Sequence, residues 1–555
     1  MSTDLLSRHR DRLDAAVAAC ASREFFSAFD ESPSPRVYGE QAAAEGKAAY
    51  EALLDRSFPL ETPGSDGTVA TERSPFGIDL GVRYPQVRPD GVDALMSAAR
   101  AGMKAWRDAG PEGRTGVCLE ILDRLHGRVF ELANAVQHTS GQAFVMAFQA
   151  GGAHALDRAL EAIAYAWTEM TRTPRTARWE KPGKVPLTME KTFTVVPRGV
   201  ALVIGCNTFP TWNSWPGLFA SLVTGNPVVV KPHPAAVLPL AITVQACQEV
   251  LAEAGFDPNL VTLAAEDPAD RLAAVLAVRP EVRLIDFTGG NAFGDWLEEN
   301  ARQAVVFAEK AGVNTVVIDS TDDFKAMCQN LAFSFALYTG QMCTAPQNVY
   351  LPGAGVPTEG GVKSPAEVAE GIGASLERLL GDDARAVELL GGVVNQGVLE
   401  RLDAAGSHGD VLVASRPVAH PAYPDATVRT PTLIGLTAAD RDVYEAECFG
   451  PVAYLIQTSG SEESIDLFRD TVQRHGAMTA SVYSTSTDVV AAMREAALDA
   501  GVALSENLLG GVFVNQSAAY SDFHGTGANP AANASFTDGA YVSPRFRVVQ
   551  SRRHV

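Results

Sequence analysis

Val200-Ala201-Leu202-Val203-Ile204 is an unbroken apolar run rich in β-branched residues, and it is the first of five such runs in the centre of the chain. The others lie at residues 227–230, 260–263, 282–287 and 305–307, and helical patterns separate them at 218–223, 238–254, 269–278 and 294–301. Short strands that alternate with amphipathic helices predict βαβ units in a parallel sheet. Such sheets bind dinucleotides at the carboxyl ends of their strands.

The same alternation continues into the second half of the chain. Residues 315–318 and 348–351 are predicted strands, and 324–337 and 365–379 are predicted helices, which indicates a second α/β domain joined to the first near 309–312. Helical spacing of apolar residues also covers 1–55 and 91–171, whereas 56–90 are rich in Pro, Gly and Asp. Residues 192–196 and 547–555 are predicted to be extended chain outside both sheets. The predicted fold class is therefore α/β.

Composition limits the functions that this chain can have. Its 555 residues are too many for a single hydrophobic core, so we expect two or more domains. Its net charge of −21 argues against a nucleic-acid partner, because phosphate binding needs a basic surface. We find no apolar run long enough for a membrane span or a secretory signal. The seven cysteines are scattered and form no CxxC motif, which indicates reduced thiols and no metal site. We therefore expect a cytoplasmic protein that contacts neither nucleic acid nor membrane.

Two strand ends carry residues suited to cofactor binding. Phe287-Thr288-Gly289-Gly290 lies at a strand-to-helix junction, with Gly294 in the helix that follows. Glycines there let the backbone approach a phosphate at a helix N-terminus, although a plain tight turn is the other interpretation. Lys231 ends the second strand, where a solvated lysine is the alternative.

Three further residues are candidates for chemistry. Cys343 follows Gly340-Gln341-Met342 in a predicted loop, where reactive side chains are commonly presented, although a lone cysteine is more often a small buried hydrophobe. Glu309 ends an apolar strand, where a carboxylate is either functional or simply exposed. Asn207 follows the first strand, and its alternative role is to form a turn.

Taken together and in order, these segments resemble the aldehyde dehydrogenase superfamily over about residues 90–550. The matching segments are Asn207 before Phe209-Pro210, Lys231-Pro232, Phe287-Thr288-Gly289-Gly290, Glu309 with Gly312 and Asn314, Gly340-Gln341-Met342-Cys343, and Glu447-Cys448-Phe449-Gly450-Pro451. Ser32-Pro33-Ser34-Pro35-Arg36-Val37-Tyr38-Gly39 and Ser74-Pro75-Phe76-Gly77 narrow the resemblance to the phenylacetate-degradation PaaN type.

The resemblance implies an aldehyde dehydrogenase-like fold with two Rossmann-like parallel-sheet domains and a small β oligomerisation element. It implies a helical extension at 1–55, a dinucleotide-binding domain at 56–178 and 198–310, and a catalytic domain at 311–540. Oligomerisation strands are implied at 179–197 and 541–555, and in the family these pair across subunits.

The resemblance also implies roles for individual residues. Cys343 would attack an aldehyde as a thiolate, the Asn207 amide and the Cys343 backbone N–H would bind the oxyanion, and Glu309 would activate water to hydrolyse the thioester. The implied cofactor contacts are Ile204, Lys231, His233, Pro234, Thr288, Gly289, Gly290, Gly294, Gly312, Glu447 and Phe449.

Several positions depart from the family pattern. Cys206 replaces the usual Trp before the catalytic Asn, Lys310-Ala311 replaces Leu-Gly after the general base, and Gly525-Thr526-Gly527-Ala528-Asn529 replaces a Gly-Arg pair. Pro234 stands where many NAD-preferring members have a Glu that holds the adenosine ribose. With Lys231 and His233 available to a 2′-phosphate, we predict that NADP is preferred over NAD.

The implied reaction is oxidation of a semialdehyde, free or CoA-linked, from aromatic or phenylacetate catabolism to the carboxylic acid. Two alternatives stay open: a CoA-acylating dehydrogenase, which the presence of Glu309 disfavours, and a non-catalytic structural protein on the same fold. We expect a homodimer or homotetramer. We also expect that any hydratase of the pathway is a separate protein.

Overall fold

The computed structural model describes residues 2–310 and 312–555. Five parallel strands form one sheet, in the order Val261–Leu263, Val228–Lys231, Val200–Ile204, Val282–Thr288 and Val305–Glu309. The order reverses at Val200–Ile204, the first of these strands in the chain. A crevice at such a reversal is where open α/β sheets bind their ligands. The predicted Rossmann-like sheet is confirmed.

Helices cover this sheet and extend N-terminally from it. Those between its strands are Pro210–Val223, Leu238–Glu253, Leu272–Ala277 and Asn291–Asn300. Those before it are Ser2–Arg8, Arg10–Ser22, Pro35–Tyr38, Ala42–Glu51, Val92–Ala101, Met103–Asp108, Gly110–His126, Val129–Ser140, Phe144–Phe148 and His154–Thr171, with a π turn at Gln149–Ala153 and a hairpin of Ser65–Val69 and Tyr84–Val87. The helix predicted at 218–223 begins earlier and continues through Pro216, because packing of its buried residues outweighs the local break.

The second sheet has seven strands, in the order Asp410–Val413, Thr432–Thr437, Val452–Thr458, Asn348–Pro352, Thr315–Ile318, Ala480–Tyr483 and Leu504–Glu506. Only its edge strand Asp410–Val413 pairs antiparallel. Its helices are Phe324–Ala336, Pro365–Leu380, Asp383–Ala386, Gln396–Ala405, Arg441–Tyr444, Ser461–His475 and Thr487–Ala500, and short hairpins join Val356–Thr358 to Gly361–Lys363 and Pro417–Val418 to Val428–Arg429. The long helix Pro365–Leu380 begins at a capping box, in which Ser364 and Glu367 satisfy each other's backbone N–H groups.

A third, antiparallel sheet consists of Thr176–Lys181, Leu187–Pro197 and Phe546–His554. The C-terminal strand pairs with Leu187–Pro197 of the same chain, and pairing of this sheet across subunits stays a prediction. The predicted segment 541–555 is extended only from Phe546, because the helix Gly539–Val542 and a 3₁₀ turn precede it.

A buried ion pair ties this third sheet to the five-stranded one. Arg545 directly precedes the C-terminal strand, and its guanidinium donates to both Asp286 carboxylate oxygens, at 2.6 and 2.8 Å. Asp286 lies on Val282–Thr288 and also accepts from the Tyr541 hydroxyl at 2.6 Å. Among the described residues, no helix is long and apolar enough to cross a membrane.

Candidate active site

Cys343 lies in the loop between the helix Phe324–Ala336 and the strand Asn348–Pro352. The Asn314 amide orders this loop, because its Nδ2 donates to the carbonyl of Cys343 at 2.7 Å and its Oδ1 accepts from the backbone N–H of Met478 at 2.8 Å. The side chain thus ties the nucleophile loop to the segment that leads into the strand Ala480–Tyr483.

The turn before Cys343 is conformationally demanding. Tyr338, Thr339 and Gly340 all have positive φ, at 52°, 56° and 64°, a region that residues with a Cβ rarely adopt. Thr339 stabilises the turn by donating to the carbonyl of Gly391 at 2.8 Å and accepting from its N–H at 3.0 Å. Glycine is required at 340, because a Cβ there would lie 2.6 Å from the carbonyl oxygen of Gly450. Surrounding contacts therefore hold the loop in a strained, defined shape.

Glu309 and Cys343 share a neighbour, His524, that was not predicted from the sequence. The Glu309 side chain is only 1% exposed. Its Oε2 accepts from the Asn213 amide at 3.1 Å, and its Oε1 lies 3.2 Å from Nε2 of His524. The same Nε2 lies 3.9 Å from the Sγ of Cys343. Thiol, imidazole and carboxylate thus form one cluster.

The electrostatics of this cluster favour a protonated thiol at rest. Burial raises the pKa of Cys343 well above that of an ordinary thiol, and the neighbouring Glu309 carboxylate raises it further. Cys206 is half-buried, and loss of solvation is the main reason that its pKa is raised to about 11. Cys343 therefore needs a proton acceptor before it can act as a nucleophile.

Asn207 lies between the strand Val200–Ile204 and the helix Pro210–Val223, whose first position is the favourable one for proline. Its Nδ2 donates to the carbonyl of Thr139 at 3.1 Å. An amide NH₂ has two donors, so one remains for another acceptor. Its buried Oδ1 has no hydrogen-bond partner among the described residues. A buried, half-satisfied amide is what a ligand site requires.

These residues line a cavity of about 940 Å³ at the carboxyl ends of the first sheet's strands. Of the predicted site residues, the cavity brings together Asn207, Glu309, Cys343, Ile204, Lys231, His233, Pro234, Thr288, Gly289, Gly290, Glu447 and Phe449. Gly294 and Gly312 are not in its lining. A Cβ at Gly294 would lie 2.6 Å from the Lys310 side chain, and one at Gly312 would lie 2.7 Å from the carbonyl of Gly476, so both glycines permit close packing.

The cavity contains a carboxylate that the sequence argument for NADP overlooked. Glu266 is buried, forms an ion pair with Lys231 and accepts from the N–H of Leu272 at 2.5 Å. His233 lies at the exposed rim of the cavity, where loss of solvation and the nearby Lys231 lower its pKa to about 4, so the positive charge expected from it is absent at neutral pH. Lys231 is thus partly neutralised, and a negative group lies beside it.

The opposite wall of the cavity carries Glu447 and Phe449. Burial raises the pKa of Glu447 to about 7, an effect that Arg401 opposes. Arg401 also donates to the carbonyl of Phe449 at 2.8 Å, which fixes this segment. Lys310, one of the departures from the family pattern, forms ion pairs with residues of the helix Asn291–Asn300, and its neighbour Ala311 lies outside the described residues.

Glu309, Cys343 and His524 also present donor atoms within 4.8 Å of one another, a spacing that a metal ion could bridge. An ion there would block the thiol, so we assign none, and the lack of a metal site stays a prediction. The site residues that were not predicted have little local signal in the sequence. Asn213 and Glu266 are polar residues among apolar neighbours, whereas His524 lies in an irregular loop with no periodic context.

Comparison with known proteins agrees with this geometry. The model of the aldehyde dehydrogenase family matches residues 63–515 of this chain. The crystal structure of an NAD-dependent aldehyde dehydrogenase from Burkholderia multivorans is 57% identical, with a TM-score of 0.97 over 99% of each chain. Vanillin dehydrogenase of Pseudomonas fluorescens is 25% identical over 441 residues, which are 77% of this chain and 83% of that one. The 3,4-dehydroadipyl-CoA semialdehyde dehydrogenase of Aromatoleum evansii is 26% identical over 311 residues, 53% and 57% of the two chains. The family match spans most of the chain, and the chain therefore belongs to the aldehyde dehydrogenase family of oxidoreductases.

Proposed function

We propose that this protein oxidises an aldehyde to the carboxylic acid with NAD, through a thioester on Cys343. The observation that carries the proposal is the position of Cys343, Glu309 and Asn207 in the lining of one cavity. A nucleophile, a base and an amide donor are the groups that acyl chemistry at a carbonyl requires.

The residues of the cavity suit a dinucleotide. Thr288, Gly289 and Gly290 precede the N-terminus of the helix Asn291–Asn300, an arrangement that favours a phosphate. Lys231 and Glu266 offer a donor and acceptors for one ribose, and Glu447 does so for the other. When NAD is bound, its nicotinamide ring supplies the acceptor for the hydride.

The chain's own groups would act in three stages. The thiol of Cys343 loses its proton, and its sulfur forms a bond to the aldehyde carbon. The free N–H of the Asn207 amide and the backbone N–H of Cys343 hold the resulting oxyanion. After the hydride has left the substrate carbon, Glu309 takes a proton from water, which attacks the thioester carbon and releases the acid and the thiolate.

Glu309 favours hydrolysis over transfer to CoA. Both of its carboxylate oxygens have hydrogen-bond partners. One of these oxygens also lies within 4.8 Å of the Sγ of Cys343. A carboxylate held there can activate water against an acyl group on the sulfur. The CoA-acylating alternative predicts that acid forms only when CoA is added.

We propose NAD as the preferred cofactor, in place of the preference for NADP that the sequence favoured. A 2′-phosphate beside Lys231 would meet the carboxylate of Glu266, while a ribose hydroxyl can donate to it. The Burkholderia multivorans relative is described as NAD-dependent. Pro234 removes one acceptor for the adenosine ribose, but Glu266 in the same cavity supplies another.

For the substrate, we propose a semialdehyde or aromatic aldehyde from aromatic or phenylacetate catabolism, free or CoA-linked. Support comes from the names of two relatives, vanillin dehydrogenase and 3,4-dehydroadipyl-CoA semialdehyde dehydrogenase. Trp212 and Phe536 contact His524, next to the nucleophile. Aromatic side chains there suit an apolar substrate body. The PaaN-type pathway and the cytoplasmic location stay predictions.

We propose that the three-stranded sheet mediates a homodimer or homotetramer. Val185, Leu187, Val548 and Val549 on this sheet and its turn are all exposed in the single chain. An exposed strand edge with apolar side chains on both faces is a template for pairing with another chain.

The experiment is NADH production from benzaldehyde by wild type, Cys343→Ala, Cys206→Ala and Cys448→Ala. We expect the Cys343 variant to lose hydride transfer and the other two to retain most of it, because Cys343 is the thiol that lies beside both Glu309 and His524. Turnover at the wild-type rate by Cys343→Ala would overturn the proposal.

A further inference from the structure

His524 is a titratable side chain that contacts both the nucleophile and the general base. Its Nε2 lies 3.9 Å from the Sγ of Cys343 and 3.2 Å from Oε1 of Glu309. The ring is about 5% exposed and lies beside Trp212, at a centroid distance of 4.4 Å, and Phe536, at 5.9 Å. In the neutral tautomer that has its proton on Nδ1, this imidazole can accept a proton on Nε2 and then donate it to either neighbour.

The loop that carries His524 is firmly anchored. Arg158 donates to the carbonyls of Ala518 and Asp522, both at 3.3 Å, and to the hydroxyl of Ser517 at 3.2 Å. Arg23, from the segment after the second N-terminal helix, stacks over the ring of Phe523 at 4.1 Å. The imidazole is therefore preorganised before any substrate binds, as an acid–base group should be.

Glu309 hydrogen-bonds the Cys343 thiol directly, but as long as it is ionised its charge disfavours a thiolate beside it. Its carboxylate raises the pKa of the thiol, and a thiolate next to a carboxylate is repelled. A neutral imidazole removes this conflict, because accepting the proton makes it a cation between two anions. The charged and titratable groups facing it are Glu309 and Cys343, and Arg158 lies on the ring of Trp212 at 5.4 Å.

We propose that His524 is the catalytic proton acceptor for Cys343 and that it returns this proton to the sulfur when the thioester is hydrolysed. In the first step the S–H bond breaks, the proton moves to Nε2, and the sulfur electron pair forms the bond to the aldehyde carbon. In the last step water attacks, its proton goes to Glu309, the C–S bond breaks, and the imidazolium protonates the departing sulfur. Hydride and one proton leave for each aldehyde and water consumed, so the cycle balances.

This inference rests on the proposed function for its physiological meaning, but its test needs neither aldehyde nor NAD. The rate of alkylation of Cys343 by iodoacetamide, followed by mass spectrometry across pH, reports on deprotonation of the thiol alone. His524→Gln keeps a side chain of similar size without a titrating nitrogen. His408→Gln is the matched control, since His408 bonds the Tyr454 hydroxyl at 2.9 Å outside the site.

We expect His524→Gln to alkylate about 10²–10⁴-fold more slowly at neutral pH and to lack an inflection that the wild-type profile contains. His408→Gln should match the wild type. A wild-type rate, or a uniform decrease that leaves the shape of the profile unchanged, would overturn the proposal.

If His524→Gln does not remain folded, the alkylation rate of His524→Ala in imidazole buffers is the test instead. An alkylation rate that rises with imidazole supports the role, and a flat one overturns it. If alkylation behaves as expected but no aldehyde is oxidised, the proposed function fails and the role of His524 stands.

Discussion

Arg545 offers the most quantitative test of how the C-terminal strand is held. The substitution Arg545→Met removes the cation that donates to both oxygens of Asp286 at 2.6 and 2.8 Å and to the Ser221 hydroxyl at 2.7 Å. It also removes the stacking of the guanidinium on the Tyr541 ring at 4.2 Å. Asp286 would remain buried with its charge uncompensated.

Breaking a buried ion pair from one side costs about 3–5 kcal/mol, because the remaining charge keeps its desolvation penalty. At 1.4 kcal/mol for each factor of ten, local opening of the strand Phe546–His554 should become roughly 10²- to 4 × 10³-fold more frequent. Hydrogen–deuterium exchange of the amides at 546–554 measures that opening directly.

The same strand supplies a matched control. Arg553 pairs with Glu190 at 2.6 Å, but their side chains are 75% and 50% exposed, so Arg553→Met should change protection little. Replacing both buried partners, as in Asp286→Leu with Arg545→Met, should recover part of the loss, because no unpaired charge is left. Equal protection in Arg545→Met and Arg553→Met would refute the reasoning.

Three further predictions follow from the cavity and the third sheet. Glu266→Gln should shift the ratio of kcat/KM for NAD and NADP toward NADP by about tenfold to a hundredfold, since it removes a charge that repels a 2′-phosphate; an unchanged ratio would place selectivity elsewhere. With its pKa raised to about 7, the Glu447 carboxyl is mostly protonated below that pH and ionised above it. Calorimetric binding of NAD should therefore tighten a few-fold from pH 6 to pH 8 in wild type and not in Glu447→Gln. Ending the chain at Arg545 removes the C-terminal strand, and light scattering should then show lost assembly; a truncated chain that assembles like wild type would contradict the role of this sheet.

Much of the fold could be predicted from the sequence because its strands are short apolar runs between clear helical patterns. Val200–Ile204 and Thr315–Ile318 have the predicted bounds. The helix Pro210–Val223 was predicted only in part, because its early residues are polar or proline and its stability comes from tertiary burial. Which strand the C-terminal segment pairs with depends on the path of the whole chain, and local sequence does not encode it.

The candidate site divides in the same way. Residues at strand ends and in the loop of Cys343 could be predicted, because position along a β-strand fixes which edge a side chain occupies. His524 lies 181 residues from Cys343 in the sequence. Glu266 is part of the site because it forms an ion pair with Lys231. Contacts between distant segments of an irregular loop follow from three-dimensional packing, so neither residue carried a local signal.

The central claim is covalent catalysis at Cys343 followed by hydrolysis with Glu309 as base. The most direct test mixes Glu309→Gln protein with NAD and benzaldehyde, quenches in acid and locates any acyl group by intact and peptide mass spectrometry. We predict a burst of NADH close to one per chain and one benzoyl group on the peptide that contains Cys343. A burst without an adduct, or an adduct on Cys206 instead, would contradict the mechanism.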